Sequence, residues 1–295
     1  MAKIAINLKR LQARLADEPR ELDANFVAAG HGWTVEDIVC SRGPRDRRFE
    51  EQHDKFVIAI VTSGTFQYHS SGANSEVMMT PGSVLLGSPG QCFECGHEHG
   101  VGDRCLAFHF AADYFHTIAE GRDTRRALRS FRESKLSPAQ TLSPIVTDAC
   151  AALAGSRQVA WEELGIRLAA RAFQMDGDSK GARSATSPVA IARITQSVRL
   201  IEAHKGSDLT LVSLAKEANL SPFHFLRTFE AVTGTTPHQY MRRMKLRAAA
   251  VRLSSSETKI VDVAFESGFG DVSNFNRAFR AEFGVTPTTY RVRHR

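Results

Sequence analysis

A sixteen-residue pattern occurs twice in the C-terminal third of the chain, 50 positions apart. Phe225, Arg227, Phe229, Ala231, Gly234, Thr236, Pro237 and Tyr240 are matched by Phe275, Arg277, Phe279, Ala281, Gly284, Thr286, Pro287 and Tyr290, so eight of the sixteen positions are identical. Self-similarity at this level means one structural unit used twice. Each copy carries one arginine between two phenylalanines, which points to paired DNA-reading modules held at a fixed spacing.

Each copy reads as helix, tight turn, helix. In the first, Leu211, Leu214, Ala215 and Ala218 recur at helical spacing, and Asn219 suits the left-handed conformation that a sharp corner needs. Ser221 can cap the next helix, and Pro222 fits its first turn, where no amide hydrogen is required. Phe225 and Phe229, one turn apart, face a core and leave Phe223, His224 and Arg227 outward. The second copy runs Ile260, Val263 and Ala264 to a corner at Gly268, with Asp271 as cap and Ser273, Asn274, Asn276 and Arg277 outward. Between the copies, Pro237 to about Leu253 predicts one long helix spanning about 24 Å. A spacer of that length suits two recognition helices in successive major grooves of one DNA face.

The quoted residues, with Ala264, Gly268 and Phe269 ahead of a Gly-x-Thr-Pro-x-x-Tyr-Arg ending at Arg291, resemble the C-terminal domain of the AraC/XylS family of bacterial transcription regulators. The likeness covers about residues 190–291. It implies base reading by the third and sixth helices of that domain: Phe223, Leu226 and Arg227 in one copy, Ser273, Asn274, Asn276 and Arg277 in the other. Leu226 departs from the polar residues usual there and can offer only an apolar contact to a thymine methyl.

Charge divides the chain in the same way. The total is +6, and residues 188–295 hold 16 Lys plus Arg against 9 Asp plus Glu, so the basic excess lies in the duplicated region. A basic module beside a near-neutral one is the electrostatic footprint of a DNA-binding domain with a separate sensor. Arg242, Arg243, Lys245 and Arg247 cluster on the spacer helix as candidate phosphate contacts.

Residues 56–61, 66–69 and 84–86 are short β-branched and aromatic runs, separated by turn signals at Gly72, Gly82 and Gly90. Cys92 to Cys95 and Arg104 to Phe110 predict a strand pair around a glycine-rich turn. Many short strands at this spacing argue a β-barrel or jelly roll. The run from Pro81 to Gly90 resembles the second motif of the cupin-type sensor domain that precedes many AraC-like DNA-binding domains, a likeness over about residues 30–112. Two amphipathic helices follow, one through Leu142, Ile145, Val146, Ala149, Cys150 and Leu153, the other through Trp161, Leu164, Leu168, Ala172 and Phe173. They serve either to form a homodimer or to cover their own barrel.

Five cysteines and the absence of an apolar run of about 18 residues suit a cytoplasmic chain with reduced thiols. Residues 1–20 are charged throughout, without a signal core. Cys92, Cys95, His97, His99 and Cys105 fall within fourteen residues and suggest a tetrahedral site for Zn²⁺ or a softer ion such as Cu⁺. His53 and His109 are further candidates. A redox switch is one alternative; buried cysteines beside turn histidines are the other. Cys40 and Cys150 read as small core residues. If the effector is instead organic, Ile58, Ile60 and Leu85 are the expected pocket.

The chain thus reads as α+β: a cupin-like barrel with trailing helices over residues 1–175, a linker at 176–187, and an all-α unit of two helix-turn-helix motifs over 188–295. The expected function is sequence-specific transcription regulation on double-stranded promoter DNA. A small-molecule or metal effector is expected in the barrel, with RNA polymerase as partner if the protein activates, and no membrane partner. Binding suffices, and no catalysis is required. The enzyme alternatives are a cupin-type metalloenzyme or a methyl-acceptor DNA-repair protein. The first wants more strand histidines than His53, and Phe93 stands where its second-motif histidine belongs. The second needs four clustered thiolates, and three are present. A third alternative is a nucleoid-structuring protein with little sequence preference.

Overall fold

A computed structural model describes residues 22–71, 76–119, 130–177, 186–204 and 209–294. The expectations for residues 1–20 and for most of the linker, 178–185, lie outside these. The N-terminal unit stacks two antiparallel sheets. The first has the order β1 (Leu22–Gly30), β2 (Trp33–Cys40), β9 (Asp103–Phe110), β4 (Phe56–Gly64), β7 (Val84–Gly87), β10 (Lys135–Leu136). The second runs β3 (Phe49–Gln52), β8 (Cys92–Gly96), β5 (Phe66–Ser70), β6 (Val77–Met79).

The glycine-rich turn after β8 does not close a hairpin, as the strand pair expected there would require. β8 pairs with β3 and β5, whereas β9 pairs with β2 and β4, so the turn carries the chain from one sheet to the other.

Side chains alternate across each strand, and the central strands β4, β7 and β9 of the first sheet bury both faces. Val57, Ala59, Val61, Leu85, Cys105 and Ala107 face the second sheet. Ile58, Ile60, Leu86, Leu106 and Phe108 pack beneath the helices α1 (Ala112–Ala119), α2 (Ser143–Leu153) and α3 (Trp161–Gly177). Of the pocket residues expected, Leu85 is on the inner face, and Ile58 and Ile60 are one register step off it. Of the two uses expected for the trailing helices, Leu142, Ile145, Val146, Ala149, Leu164, Leu168, Ala172 and Phe173 are spent on their own barrel. Asp176 and Gly177 finish α3 rather than start a linker, and the Asp176 carboxylate accepts from the amides of Arg132 at 3.1 Å and Glu133 at 2.9 Å.

The C-terminal unit is helical: α4 (Pro188–Ala203), α5 (Leu211–Glu217), α6 (Pro222–Thr233), α7 (Pro237–Ser255), α8 (Ile260–Glu266), α9 (Val272–Phe283) and α10 (Pro287–Arg293). The local signals act as expected. Asn219 has φ 51° at the first corner, and Gly268 has φ 75° at the second. Ser221 Oγ accepts from the amide of His224, and the Asp271 carboxylate from that of Asn274, so α6 and α9 are capped by the same device. α7 serves two cores: Tyr240 and Met241 close the first with Phe225 and Phe229, and Leu246, Ala249, Ala250 and Leu253 join Phe275 and Phe279 in the second. Its 19 residues give a rod of about 28 Å.

The two units are clasped. Met78 of β6 sits in the first helical core, and the buried Lys135 ammonium donates to the carbonyl oxygens of Met78 at 2.6 Å and Val232 at 3.0 Å. Arg199 of α4 donates to Thr65 Oγ1 at 3.1 Å and to the carbonyl oxygens of Val101 at 2.7 Å and Gly102 at 3.1 Å. A side chain at Gly100 would overlap the Arg199 guanidinium where it now lies, so the bare position leaves room for this placement of the arginine. Ser143 of α2 donates to the buried Glu282 carboxylate of α9.

Candidate functional site

The caps of α6 and α9 leave the first turn of each helix exposed, with outward residues at corresponding positions. Phe223 is 70% exposed, with His224 and Arg227 beside it and the Arg227 guanidinium 5.9 Å from the Phe223 ring centre. Leu226 is half-buried. On α9, Ser273, Asn274, Asn276 and Arg277 are all exposed, and Asn274 Oδ1 accepts from Arg277 at 3.4 Å. Phe225, Phe229, Phe275 and Phe279 are wholly buried.

Helical spacing splits the basic cluster of α7. His238, Arg242 and Lys245 fall on one face and line a surface groove with Asn274 and Arg277. Arg243 and Arg247 fall on the other. Arg243, expected as a phosphate contact, is turned inward: it donates to Pro138 O and Thr235 Oγ1 and faces Glu282 at 3.4 Å, with its side chain 13% exposed. Arg247 meets the turn at Gly82. Sequence reasoning passed over His238, although its four-residue spacing from Arg242 on one helix marks it.

Between the two sheets lies a cavity of about 190 Å³, lined by Ile38, Val57, Ala59, Tyr68, Leu85 and Phe93, with histidines and acids at its ends. At one end His53 stacks on Phe93, ring centres 4.2 Å apart, and shares a 2.9 Å hydrogen bond with the Tyr68 hydroxyl. Burial and the neighbouring His109 pull the His53 imidazole down to about 4 against the opposing pull of Asp54, so it is neutral near pH 7.

At the other end Cys40, Cys95, His97, Asp103 and Cys105 converge on the cavity wall. His97 Nε2 and Asp103 Oδ1 are 2.6 Å apart, and the Cys105 thiol donates to Asp103 Oδ2 at 3.3 Å. Burial works against the imidazolium, but hydrogen bonds to Asp103 and Cys40 outweigh it and raise His97 to about 9. Burial and the Asp103 carboxylate push the Cys95 and Cys105 thiols well up, so both are protonated here, which opposes the activated thiol of a redox switch.

The predicted five-residue cluster is therefore divided. Cys95, His97 and Cys105 reach the cavity, whereas Cys92 is exposed at the start of β8 and His99 lies in the turn near Glu98. Cys40, expected as a core residue without partners, and Asp103 take their places. Cys40 is far in sequence from both His97 and Asp103: the β2–β9 register sets it opposite Asp103, and the turn after β8 brings His97 to the same aspartate.

The chain matches two family models, one described as a helix-turn-helix domain over residues 214–293 and one as an AraC-like ligand binding domain over residues 37–169. It is 35% identical to the regulatory protein SoxS of Salmonella typhimurium, over 32% of this chain and 90% of that protein. It is 33% identical to the transcriptional activator RhaS of Klebsiella pneumoniae, over 34% and 36% of the two chains. Among solved structures, ToxT from Vibrio cholerae aligns over 90% of this chain and 99% of its own at 12% identity, with a TM-score of 0.37. No helix among the described residues is long and apolar enough to cross a membrane.

Proposed function

Because the chain belongs to the AraC/XylS family of DNA-binding transcription regulators, we propose that α6 and α9 read two major-groove segments of one promoter site, under control of an effector held in the barrel cavity. The observation that carries the reading is the pair Arg227 and Arg277, at matching places on two identically capped helices, both exposed. Arginine in the first turns of a helix entering a major groove can donate to both guanine acceptors at once. Arg242 and Lys245 supply phosphate contacts that fix register, and His238 lies on the same face.

The cavity sets the scale of the effector. Cavities of about 150 Å³ accept benzene, so this one, at about 190 Å³, bounds the effector from above: an occupant of that size or smaller fits, and a long chain does not. The protein acts in the cytoplasm, where its DNA is, and RNA polymerase is the further partner when it acts as an activator. A homodimer fits β1, an edge strand with Phe26 70% exposed, better than the trailing helices, whose apolar faces are covered.

Selection of duplexes from a random pool by the full-length protein tests the reading. The expected product is a motif in two segments about one helical turn apart, with Arg227→Ala blurring one segment and Arg277→Ala the other. Equal retention of every duplex at physiological salt would replace this reading by that of a nucleoid-structuring protein.

A further inference from the structure

Cys40, His97 and Asp103 bring one sulfur, one imidazole nitrogen and one carboxylate oxygen within 4.8 Å of one another, and Cys105 places a second sulfur 3.3 Å from the other oxygen of Asp103. We propose that these four residues bind one thiophilic divalent cation of the Zn²⁺ class and that this ion is the effector, an inference that rests on the barrel being the sensor.

The donor set is the first argument. Two sulfurs, an imidazole and a carboxylate are ligands of a tetrahedral zinc-type site and not of a hard cation, which would want oxygens alone. Metal bonds of 2.0–2.3 Å in a tetrahedron set donors about 3.3 to 3.8 Å apart, so the three donors of Cys40, His97 and Asp103, within 4.8 Å of one another, close with shifts of about 1 Å, and Cys105 joins as the fourth from its 3.3 Å approach to Asp103. Cys40, His97 and Cys105 are each under 7% exposed, and the cavity gives an entry path. A bound ion would take the place of the protons now shared among these donors.

The position is the second argument. Cys40 ends β2 and Cys105 lies on β9, both in the first sheet, whereas His97 follows β8 of the second. An ion here ties the sheets together through the turn joining His97 to Asp103. That same turn offers the carbonyl oxygens of Val101 and Gly102 to Arg199 of α4. Drawing His97 and Asp103 onto an ion moves the seat of Arg199, so loaded and empty barrels hold the DNA-binding unit differently. That is the differential interaction an effector requires.

The test uses reduced full-length protein freed of metal by a chelator. Co²⁺ is the probe, through its thiolate-to-cobalt absorption, and Zn²⁺ is the competitor. Saturation at one Co²⁺ per chain, displacement by Zn²⁺, and at least a tenfold loss of affinity in both Cys40→Ser and Cys105→Ser, with none in Cys92→Ser, support the site. Zn²⁺ should then shift affinity for a duplex selected by the protein at least fivefold, and Arg199→Gln should abolish that shift while keeping Co²⁺ binding. Absent cobalt absorption, or absorption lost in Cys92→Ser and kept in Cys40→Ser, overturns the metal site and leaves the cavity to an organic effector. A stoichiometric site with DNA affinity unchanged by Zn²⁺ overturns the effector role, and the ion is then structural.

Discussion

Arg243 donates a 2.9 Å hydrogen bond to the carbonyl oxygen of Pro138, tying the long helix of the C-terminal unit to the segment that leads out of the barrel. The same guanidinium faces Glu282 on α9, whose carboxylate is almost fully buried and also accepts from Ser143. One arginine therefore joins the barrel, the spacer helix and the second reading helix. Its burial already weakens its hold on a proton relative to an ordinary arginine, with Glu282 opposing that loss.

Arg243→Ala is expected to destabilise the full-length protein by about 3 kcal/mol, since removing one partner leaves a buried carboxylate uncompensated. Urea denaturation measures this. The salt dependence of DNA binding should be unchanged, because no phosphate contact is lost. Arg242→Ala should do the reverse: little effect on stability, and a salt slope lower by about one unit or less. A lower slope in Arg243→Ala would return that residue to the DNA surface.

Arg277→Ala should cost roughly 1 to 3 kcal/mol of binding at the selected site and relax the preference at one or two base pairs. Leu226→Ala should change affinity far less, because its half-buried side chain offers a base at most an apolar edge. Competition binding against single-base variants of the selected duplex separates the two effects.

The helical unit was legible in the sequence because its determinants are local. Asn219, Ser221, Gly268 and Asp271 act within a few residues of themselves, and a 3.6-residue period marks which phenylalanines go inside. The barrel was legible in β4, β5, β7, β8 and β9, but not in β1 to β3 or in which strands pair. Phe56 to Val61 is an unbroken apolar run because β4 is buried on both faces, so nothing in it tells Ile58 and Ile60 from Val57 and Ala59. The β8 to β9 turn has the composition of a hairpin, and only the pairing of each strand with distant neighbours sends them to different sheets. For the same reason Cys40 looked solitary beside a compact cluster from Cys92 to Cys105, and its place opposite Asp103 follows from strand register. The split of the α7 arginines was available from helical spacing alone. What the spacing did not supply was the surface that Arg243 and Arg247 meet.

Asn219 tests the corner of the first helix-turn-helix. Its φ of 51° is left-handed, a conformation that costs most residues roughly 1 to 2 kcal/mol and glycine nothing. Asn219→Val should therefore lower stability by about that amount, and Asn219→Gly should be near neutral. Thermal unfolding of the three proteins checks the order. Equal losses in both variants would mean that the asparagine side chain matters more than the backbone angle.

His53 should make stability depend on pH. Its folded value of about 4 lies below the ordinary 6.5, so the unfolded chain takes up a proton first as pH falls. Stability from this group is full above about pH 6.5 and is lost as pH drops toward 4, by up to roughly 3 kcal/mol. The groups around it are His109, whose charge contributes to that lowering, Asp54, which favours its proton, and the neutral Tyr68 hydroxyl. Burial also lowers His109 despite its approach to Glu36 at 3.2 Å, so its contribution has the same sign. His53→Gln should then flatten the fall in unfolding free energy between pH 7 and pH 4.5 by close to one proton, leaving the part due to His109. A wild-type profile flat across that window would show that His53 is hydrated and free to ionise, and the end of the cavity that it closes with Phe93 would be open to water.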